Sequence, residues 1–148
     1  MSKDGFTFSS KQIDVNKKIT IVASKWNAEL VDELLESGKA HLEELGFTKI
    51  KIVNVPGAWE LVQAAQRELA DADGVIAYGV VIRGETTHYE LISESAAHGL
   101  MQVSVNANKP IGFGLIAVEN LSQAQERTDS SRLNKGKEIA QSLVEMLS

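Results

Sequence analysis

The chain has 148 residues, of which 43% are hydrophobic and 24% charged, and its net charge is −5. These values are ordinary for one globular domain with its own hydrophobic core. The acidic balance and the lack of a basic stripe argue against nucleic acid as a partner. Cysteine is absent, which excludes disulfides and thiolate metal sites. The N-terminus has no apolar core typical of a signal peptide, and no run is long enough to span a membrane, so we expect a cytoplasmic protein.

Four apolar segments of the chain predict β-strands, at residues 19–24, 49–55, 75–82 and 111–118. A polar N-terminal arm, residues 1–17, precedes them, and Phe6 and Phe8 indicate a short strand within it. Residues 18–148 are expected to form a single α/β domain. Asn27 is a candidate N-cap for a first helix that ends at Gly46. A second helix is expected over residues 58–69, after the Pro56 turn.

Three further helices are predicted in the second half of the chain. Thr87 and Glu90 have the spacing of a capping box, which predicts a helix of about fifteen residues from that point. Ser122 and Gln125 have the same spacing and indicate a short helix. A last helix is expected over residues 133–147, where apolar residues recur on one face. The polar stretch 127–136 is typical of a flexible linker.

The predicted order of elements is β-α-β-α-β-α-β-α, with the short helix before the last long one. Strands that alternate with helices indicate a parallel sheet covered on both faces. The carboxyl ends of its strands then bring residues 24–27, 55–60, 82–88 and 118–120 to one edge. Because ligands of open α/β sheets bind at that edge, we expect the functional site there.

Two of these loops carry residues suited to a planar, hydroxylated ligand. Trp26 has a ring that could stack on a heterocycle, although an exposed aromatic at a helix start is an equally good interpretation. Glu60 lies in the first turn of a helix, where it could accept hydrogen bonds from ligand hydroxyls. The alternative for Glu60 is a carboxylate that merely complements the helix dipole.

The third loop, residues 83–88, is suited to an anion. Thr86 and the backbone N–H groups at a helix start can bind phosphate, and His88 beside them is a candidate proton carrier. Arg127 and Lys135 are cations available for the same phosphate, although their polar surroundings are equally typical of solvated surface. His41 and His98 lie within predicted helices and are interpreted as structural.

Several motifs, in this order and spacing, resemble the 6,7-dimethyl-8-ribityllumazine synthase family of riboflavin biosynthesis. They are Trp26-Asn27, VPGAWE at 55–60, GVVIRGETTHYE at 79–90, Phe113-Gly114, QAQER at 123–127 and NKG at 134–136. The resemblance implies a flavodoxin-like three-layer sandwich, with a four-stranded parallel sheet and helices on both faces. It also implies a ring-shaped homopentamer, and in some members a hollow shell of twelve pentamers.

The resemblance implies a condensation that needs neither metal nor organic cofactor. Its small-molecule substrates are 5-amino-6-(D-ribitylamino)uracil and 3,4-dihydroxy-2-butanone 4-phosphate. His88 is the implied proton relay. The residues implied for the pyrimidinedione substrate are Trp26, Asn27, Ala58, Trp59, Glu60, Val80, Val81, Ile82 and Phe113. Those implied for the phosphorylated ketone are Glu85, Thr86, Arg127 and Lys135.

The distance along the chain between Thr86 and the two cations suggests a site shared between subunits. We expect one chain to supply the Thr86 loop and its neighbour to supply Phe113, Arg127 and Lys135. The apolar arm around Phe8 could also add to a neighbour's sheet edge.

The sequence departs from the family pattern at three places. Glu85 replaces a small residue, and an exposed carboxylate beside a phosphate site repels the phosphate by roughly 1 kcal/mol. Leu61 follows Glu60 where a proline is usual. The stretch 128–131 contains Asp129, which could compete with phosphate for Arg127.

Three other functions fit parts of the sequence. An archaeal-type riboflavin synthase is close in ancestry, but Trp26 and the VPGAWE motif favour the lumazine enzyme. A non-catalytic flavin-binding module needs a glycine-rich phosphate loop after the first strand, and residues 24–27 contain no glycine. A structural shell protein that has lost catalysis is disfavoured by His88, Arg127 and Lys135. Riboflavin synthase is a candidate protein partner, and neither the size of the assembly nor enclosure of that partner follows from the sequence.

Overall fold

A computed structural model describes residues 7–8, 12–84 and 88–147 of the chain. Its centre is a four-stranded parallel sheet with the strand order β2-β1-β3-β4. The strands are β1 Ile19–Ser24, β2 Ile50–Val55, β3 Gly74–Ile82 and β4 Ile111–Val118. All four predicted strands are confirmed, with starts of β2 and β3 that differ from the prediction by one residue. Such differences are usual at element ends.

Helices cover both faces of this sheet, which confirms the predicted flavodoxin-like three-layer sandwich. One face packs against α1 Ala28–Leu45, α4 Leu121–Thr128 and α5 Lys135–Leu147. The other packs against α2 Ala58–Leu69 and α3 His88–Ala107. Within the described ranges, no helix combines the length and apolarity needed to cross a bilayer.

Alternation along the central strands divides the core between the two faces. In β3, Ile76 and Tyr78 point toward α1 and α5, whereas Val75 and Ala77 point toward α2 and α3. Every residue of β1 is buried, since both neighbours and both faces are covered. Each large aliphatic side chain buried in this way contributes about 1.5–3 kcal/mol of transfer free energy, which favours this register of the sheet.

Tyr78 connects the centre of the sheet to the start of α5. Its side chain is fully buried, and its hydroxyl donates a 2.6 Å hydrogen bond to the carbonyl oxygen of Gly136. Burial raises the pKa of the phenol well above its usual value, so the hydroxyl stays protonated and remains a donor. Gly38 and Gly114 leave room for the ring, because a Cβ atom at either position would overlap it.

The helix ends correct three of the sequence expectations. Asn120 caps α4, in place of Ser122, by accepting from the Gln123 amide at 2.9 Å. Helix α3 has 20 residues and not fifteen, because the first breakers after its start are Asn108, with φ 52°, and Pro110. Helix α5 begins at Lys135 and not at residue 133. The capping box expected at Thr87 lies outside the described residues, as does most of the proposed strand in the N-terminal arm.

The stretch 127–136 is folded into a hydrogen-bonded turn, which corrects the prediction of a flexible linker. Asp129 Oδ1 accepts from the Ser131 amide at 2.8 Å and from its hydroxyl at 2.7 Å. The Leu133 amide donates to Glu126 at 3.1 Å, and the Asn134 amide donates to Asp129 at 3.1 Å. The polar residues of this stretch therefore form the hydrogen bonds of the turn, and their polarity does not indicate a flexible segment.

His41 lies in the core side of α1, as the structural interpretation requires. It is buried, neither ring nitrogen has a hydrogen-bond partner among the residues that the structure describes, and Phe8 packs edge-on against it at 5.4 Å between ring centroids. Burial, followed by the nearby Lys137 charge, lowers the pKa of His41 below its usual 6.5. Protonation of this ring therefore opposes folding.

We expect Tyr78→Phe to lower the free energy of unfolding by about 1–3 kcal/mol, because it leaves the buried Gly136 carbonyl without its donor. Gly38→Ala should destabilise as well, since its methyl group would meet the phenol. Denaturant unfolding of both variants and of the double variant measures this. The double variant should lose less than the sum, because removal of the hydroxyl relieves part of the overlap. A stabilising Gly38→Ala, as helix propensity alone predicts, would contradict the packing assigned to Tyr78.

The lowered pKa of His41 predicts an acid-sensitive fold. Because the unfolded chain binds the proton more tightly, stability is present above pH 6.5 and is lost as the pH falls through the lowered folded pKa. His41→Leu should therefore lose less unfolding free energy between about pH 7 and pH 5 than the unsubstituted chain does. Substitution of the exposed His98 by Gln is the matched control and should retain the acid sensitivity. If the free energy of unfolding changes with pH in the same way for all three proteins, His41 is not the group responsible for the acid sensitivity.

Candidate functional site

An open cleft of about 580 Å³ lies at the carboxyl edge of the sheet. Strand β2 lies on one side of β1 and β3 lies on the other, so the order of the strands reverses between β1 and β3. The cleft is at this topological switch point, where ligands of such sheets bind. The residues that line it are Trp26, Asn27, Pro56, Gly57, Ala58, Trp59, Glu60, Val80, Val81, Ile82, Gly84, His88, Tyr89 and Ile92.

The β1–α1 and β2–α2 loops form one wall of this cleft. Their backbones are joined by hydrogen bonds from Lys25 N to Val55 O, at 2.7 Å, and from Trp26 N to Pro56 O, at 3.1 Å. Trp26 is 73% exposed and Trp59 is 59% exposed, which is unusual for such large apolar rings. Both rings are therefore available to a flat ligand.

Glu60 serves the helix and still has an oxygen available for a ligand. Its Oε1 accepts from the Gly57 amide at 2.9 Å, which fixes the side chain in the first turn of α2. Its other oxygen, Oε2, has no protein partner within the described part of the chain. The helix-capping and ligand-binding interpretations of Glu60 are thus compatible, because each uses a different oxygen.

The carboxyl end of β3 forms the floor of the cleft. The amides of Val75 and Arg83 donate toward β4, at 3.1 and 2.9 Å, so the peptide groups of the odd-numbered residues face that strand. The peptide groups of Val80 and Ile82 face the opposite side, toward β1. The pairing of β3 with β1 ends at Tyr78, before these two residues. The sheet therefore leaves backbone polar groups directed into the cleft.

Asn27 takes up one of these groups. The residue precedes α1 with φ 59° and ψ 45°, and its side chain makes no helix-capping bond. This corrects the prediction of a side-chain cap, since the amide Nδ2 instead donates to Val80 O at 2.7 Å. Asn27 therefore joins the β1–α1 loop to the end of β3.

His88 is the first residue of α3 and lies exposed at the rim of the same cleft. Next to it, Arg83 bridges two carboxylates, Glu90 on α3 at 3.2 Å and Glu119 after β4 at 3.4 Å. These ion pairs fix the two ends of the loop that precedes His88. Glu85 and Thr86, predicted for the phosphate, lie in that loop and outside the described residues.

Phe113, Arg127 and Lys135 are not in this cleft. They line a second cleft of about 380 Å³, together with Ser93, Glu94, Ala97, Leu115, Ile116 and Ala117. Helix α3 contributes Tyr89 and Ile92 to the first cleft and Ser93 and Ala97 to the second, so it separates them. Within one chain, His88 and the two cations therefore belong to different clefts.

The two cations differ in their surroundings. Arg127 is half-buried, and its Nη1 donates to Gln123 O at 3.1 Å. The Lys135 side chain is only 2% exposed, and its ammonium group pairs with Glu138 at 2.8 Å, so Lys135 is not the solvated residue that its polar neighbours indicate. Asp129 is occupied by Ser131, whose hydroxyl and amide lower the pKa of that carboxyl, so it does not pair with Arg127.

Some residues of the clefts were not among the sequence predictions. In the first cleft, Ile92 lies four residues after His88, and this helical spacing was the available signal for it. Tyr89 directly follows His88 in the chain, and no spacing rule indicates that it lines the cleft. Ser93 and Ala97 in the second cleft have no chemical signature, and only the packing of α3 against β4 brings them there.

Comparison with known proteins gives a consistent result over most of the chain. The family model described as 6,7-dimethyl-8-ribityllumazine synthase matches residues 16–148. A protein of that name from Leuconostoc mesenteroides is 40% identical over 145 residues, which cover 95% of this chain and 93% of the relative. One from Kineococcus radiotolerans is 42% identical, with 98% and 91% covered. One from Bdellovibrio bacteriovorus is 40% identical, with 88% and 73% covered.

Proposed function

Because the chain belongs to the 6,7-dimethyl-8-ribityllumazine synthase family, we propose that it condenses 5-amino-6-(D-ribitylamino)uracil with 3,4-dihydroxy-2-butanone 4-phosphate. The product is 6,7-dimethyl-8-ribityllumazine, a step of riboflavin biosynthesis. The 5-amino group attacks the ketone and expels water to give an imine. Phosphate then leaves, and the ribitylamino nitrogen closes the second ring with loss of another water.

The observation that carries this proposal is the composition of the first cleft. It combines exposed indole rings, a Glu60 carboxylate oxygen that has no partner among the described residues, and strand-end peptide groups, and these match the three parts of the uracil substrate. Trp26 stacks on the pyrimidinedione, while Ala58 and Trp59 border the ring. Glu60 Oε2 accepts from ribityl hydroxyls. Ile82 presents its peptide groups to the edge of the ring, and Val81 lines the cleft beside it.

The phosphorylated ketone lies nearer the start of α3. Glu85 and Thr86 contact it through the backbone, and the helix N-terminus favours the phosphate charge. Arg127 and Lys135 bind the phosphate as it leaves, because a guanidinium and an ammonium group stabilise the negative charge that develops. Phe113 covers the ring from the opposite side.

His88 moves the protons of this reaction. Imine formation takes a proton from the attacking amine and gives one to the departing hydroxyl, and an imidazole at the cleft rim can do both. It then returns a proton as the phosphate leaves. The part assigned to His88 is proton transfer alone, and the new bonds between carbon and nitrogen form between the two substrates.

The separation of the two clefts supports a site shared between subunits. We assign Phe113, Arg127 and Lys135 of one chain to the first cleft of its neighbour, so the active protein is a homo-oligomer. A pentamer or a shell of sixty chains both provide such contacts, and the particle mass distinguishes them. We place the protein in the cytoplasm, with riboflavin synthase as a candidate partner.

The reaction is tested by the absorbance of the lumazine product with both substrates present. His88→Ala should slow turnover by about 10²–10⁴-fold, because it removes the general acid–base while the cleft walls remain. A matched His98→Ala variant, on an exposed turn of α3, should keep the activity of the unsubstituted protein.

The alternatives make different predictions in the same assay. No product from the unsubstituted protein, together with tight binding of lumazine or flavin, would indicate a binding module or an inactive shell protein. Formation of riboflavin from lumazine would indicate the riboflavin synthase. Unchanged turnover of His88→Ala would remove the proton relay from the mechanism.

A shared site predicts complementation between two inactive variants. His88→Ala and Arg127→Ala should each have low activity, but mixed oligomers contain some sites with the imidazole of one chain and the guanidinium of the other. For random mixing at equal amounts, about a quarter of the sites recover both groups, so activity should approach that fraction. Mixing the two purified proteins without subunit exchange is the control. If co-assembled chains gain nothing, both groups act within one chain.

A further inference from the structure

We propose that Asn27 is a positioning residue that sets the gap between the stacking ring of Trp26 and the ring-edge groups of β3. This inference rests on the function proposed for the first cleft and adds to it the group that controls selectivity for the uracil substrate. Asn27 acts through Val80, to which its Nδ2 donates at 2.7 Å, and not by direct contact with the ligand through that amide.

The lengths of the strands create the need for this contact. Strand β1 pairs with β3 only as far as Ala23 opposite Tyr78. Beyond that point the Val80 carbonyl faces the side on which no strand continues. The Asn27 amide supplies the donor that an additional residue of β1 would have supplied, so the protruding end of β3 keeps a fixed position relative to the β1–α1 loop.

The backbone of Asn27 aims the side chain at this target. Its φ of 59° and ψ of 45° are in the left-handed region, which asparagine tolerates better than most residues. Its carbonyl oxygen accepts from the amides of Leu30 and Val31, each at 3.1 Å, and so starts α1. One residue thus begins α1 and joins the β1–α1 loop to β3.

The contact has a chemical consequence for recognition. With its carbonyl engaged by Asn27, Val80 offers no acceptor to the ligand along that lone-pair direction. The next peptide groups on the same side belong to Ile82, one N–H and one C=O that alternate as a pyrimidinedione edge requires. A uracil that stacks on Trp26 must also reach the peptide groups of Ile82, so the distance between the indole ring and those groups has to match the ligand. The bond from Asn27 to Val80 fixes that distance.

Two substitutions at position 27 separate the bond from the backbone shape. Asn27→Gly keeps the left-handed conformation without strain and removes the donor. Asn27→Asp keeps the side-chain shape but places a negatively charged oxygen against Val80 O. Asn108→Gly is the matched control, because Asn108 also has a left-handed backbone, with φ 52°, and is exposed after α3.

The expected result is a selective loss of affinity for one substrate. Asn27→Gly should raise the KM for the uracil substrate by about tenfold, the effect of one lost hydrogen bond, with little change in the KM for the phosphorylated ketone. Asn27→Asp should be worse at neutral pH and should improve relative to Asn27→Gly as the pH falls, since a protonated carboxyl can donate to Val80. Asn108→Gly should match the unsubstituted protein.

Amide hydrogen exchange of residues 79–84 without substrate tests the contact independently of catalysis. It should be faster in Asn27→Gly than in Asn108→Gly. Unchanged exchange, or equal increases in both KM values without the pH effect, would overturn the inference. If the unsubstituted protein makes no lumazine, the proposed function fails, and faster exchange in Asn27→Gly still supports the tie to β3. If Asn27→Asp does not fold, Asn27→Gly alone decides.

Discussion

The mismatch in length between two neighbouring strands, β1 and β3, determines where the first cleft forms. Strand β1 has 6 residues and β3 has 9, and both start at the same level because Ile19 pairs with Gly74. The end of β3 must therefore extend beyond β1. Its peptide groups on that side pair with none of the described strands, whereas those on the other side pair with β4. Peptide groups without partners are costly, so a side chain, water or a ligand has to bind them. Asn27 serves one of these groups, and the cleft is built around the rest.

The second constraint is the position of α3. This helix packs on the sheet face between β3 and β4, and its two flanks form parts of two different clefts. His88, the proton carrier that we propose, is at one flank, and the Arg127 and Lys135 side chains are at the other. Assembly, and not a change of conformation within the chain, is the simplest way for our proposed mechanism to unite them.

Sequence patterns predicted the sheet well, because buried parallel strands are continuous apolar runs with clear breaks between them. The loops that form the first cleft were predicted for the same reason, since Trp26, Glu60 and His88 lie within a few residues of strand ends. The burial of Lys135 could not be predicted, because its neighbours along the chain are polar and its cover comes from tertiary packing. The bond from Asn27 to Val80 was missed because it joins residues far apart in sequence, whereas the capping pattern considers only adjacent ones.

The phenol in the core has a consequence for how this sequence can change. Tyr78 fills a space that exists only because Gly38 and Gly114 lack side chains. Gly136, whose carbonyl oxygen accepts the hydrogen bond of the phenol, also lies directly against the backbone of Leu34. A larger residue at any of these glycines meets either the ring or the main chain. These four positions lie on two helices and two strands, and the close contacts between them prevent substitution of one position without a change at the others. A designer who diversifies the binding loops should therefore leave all four untouched or redesign them together.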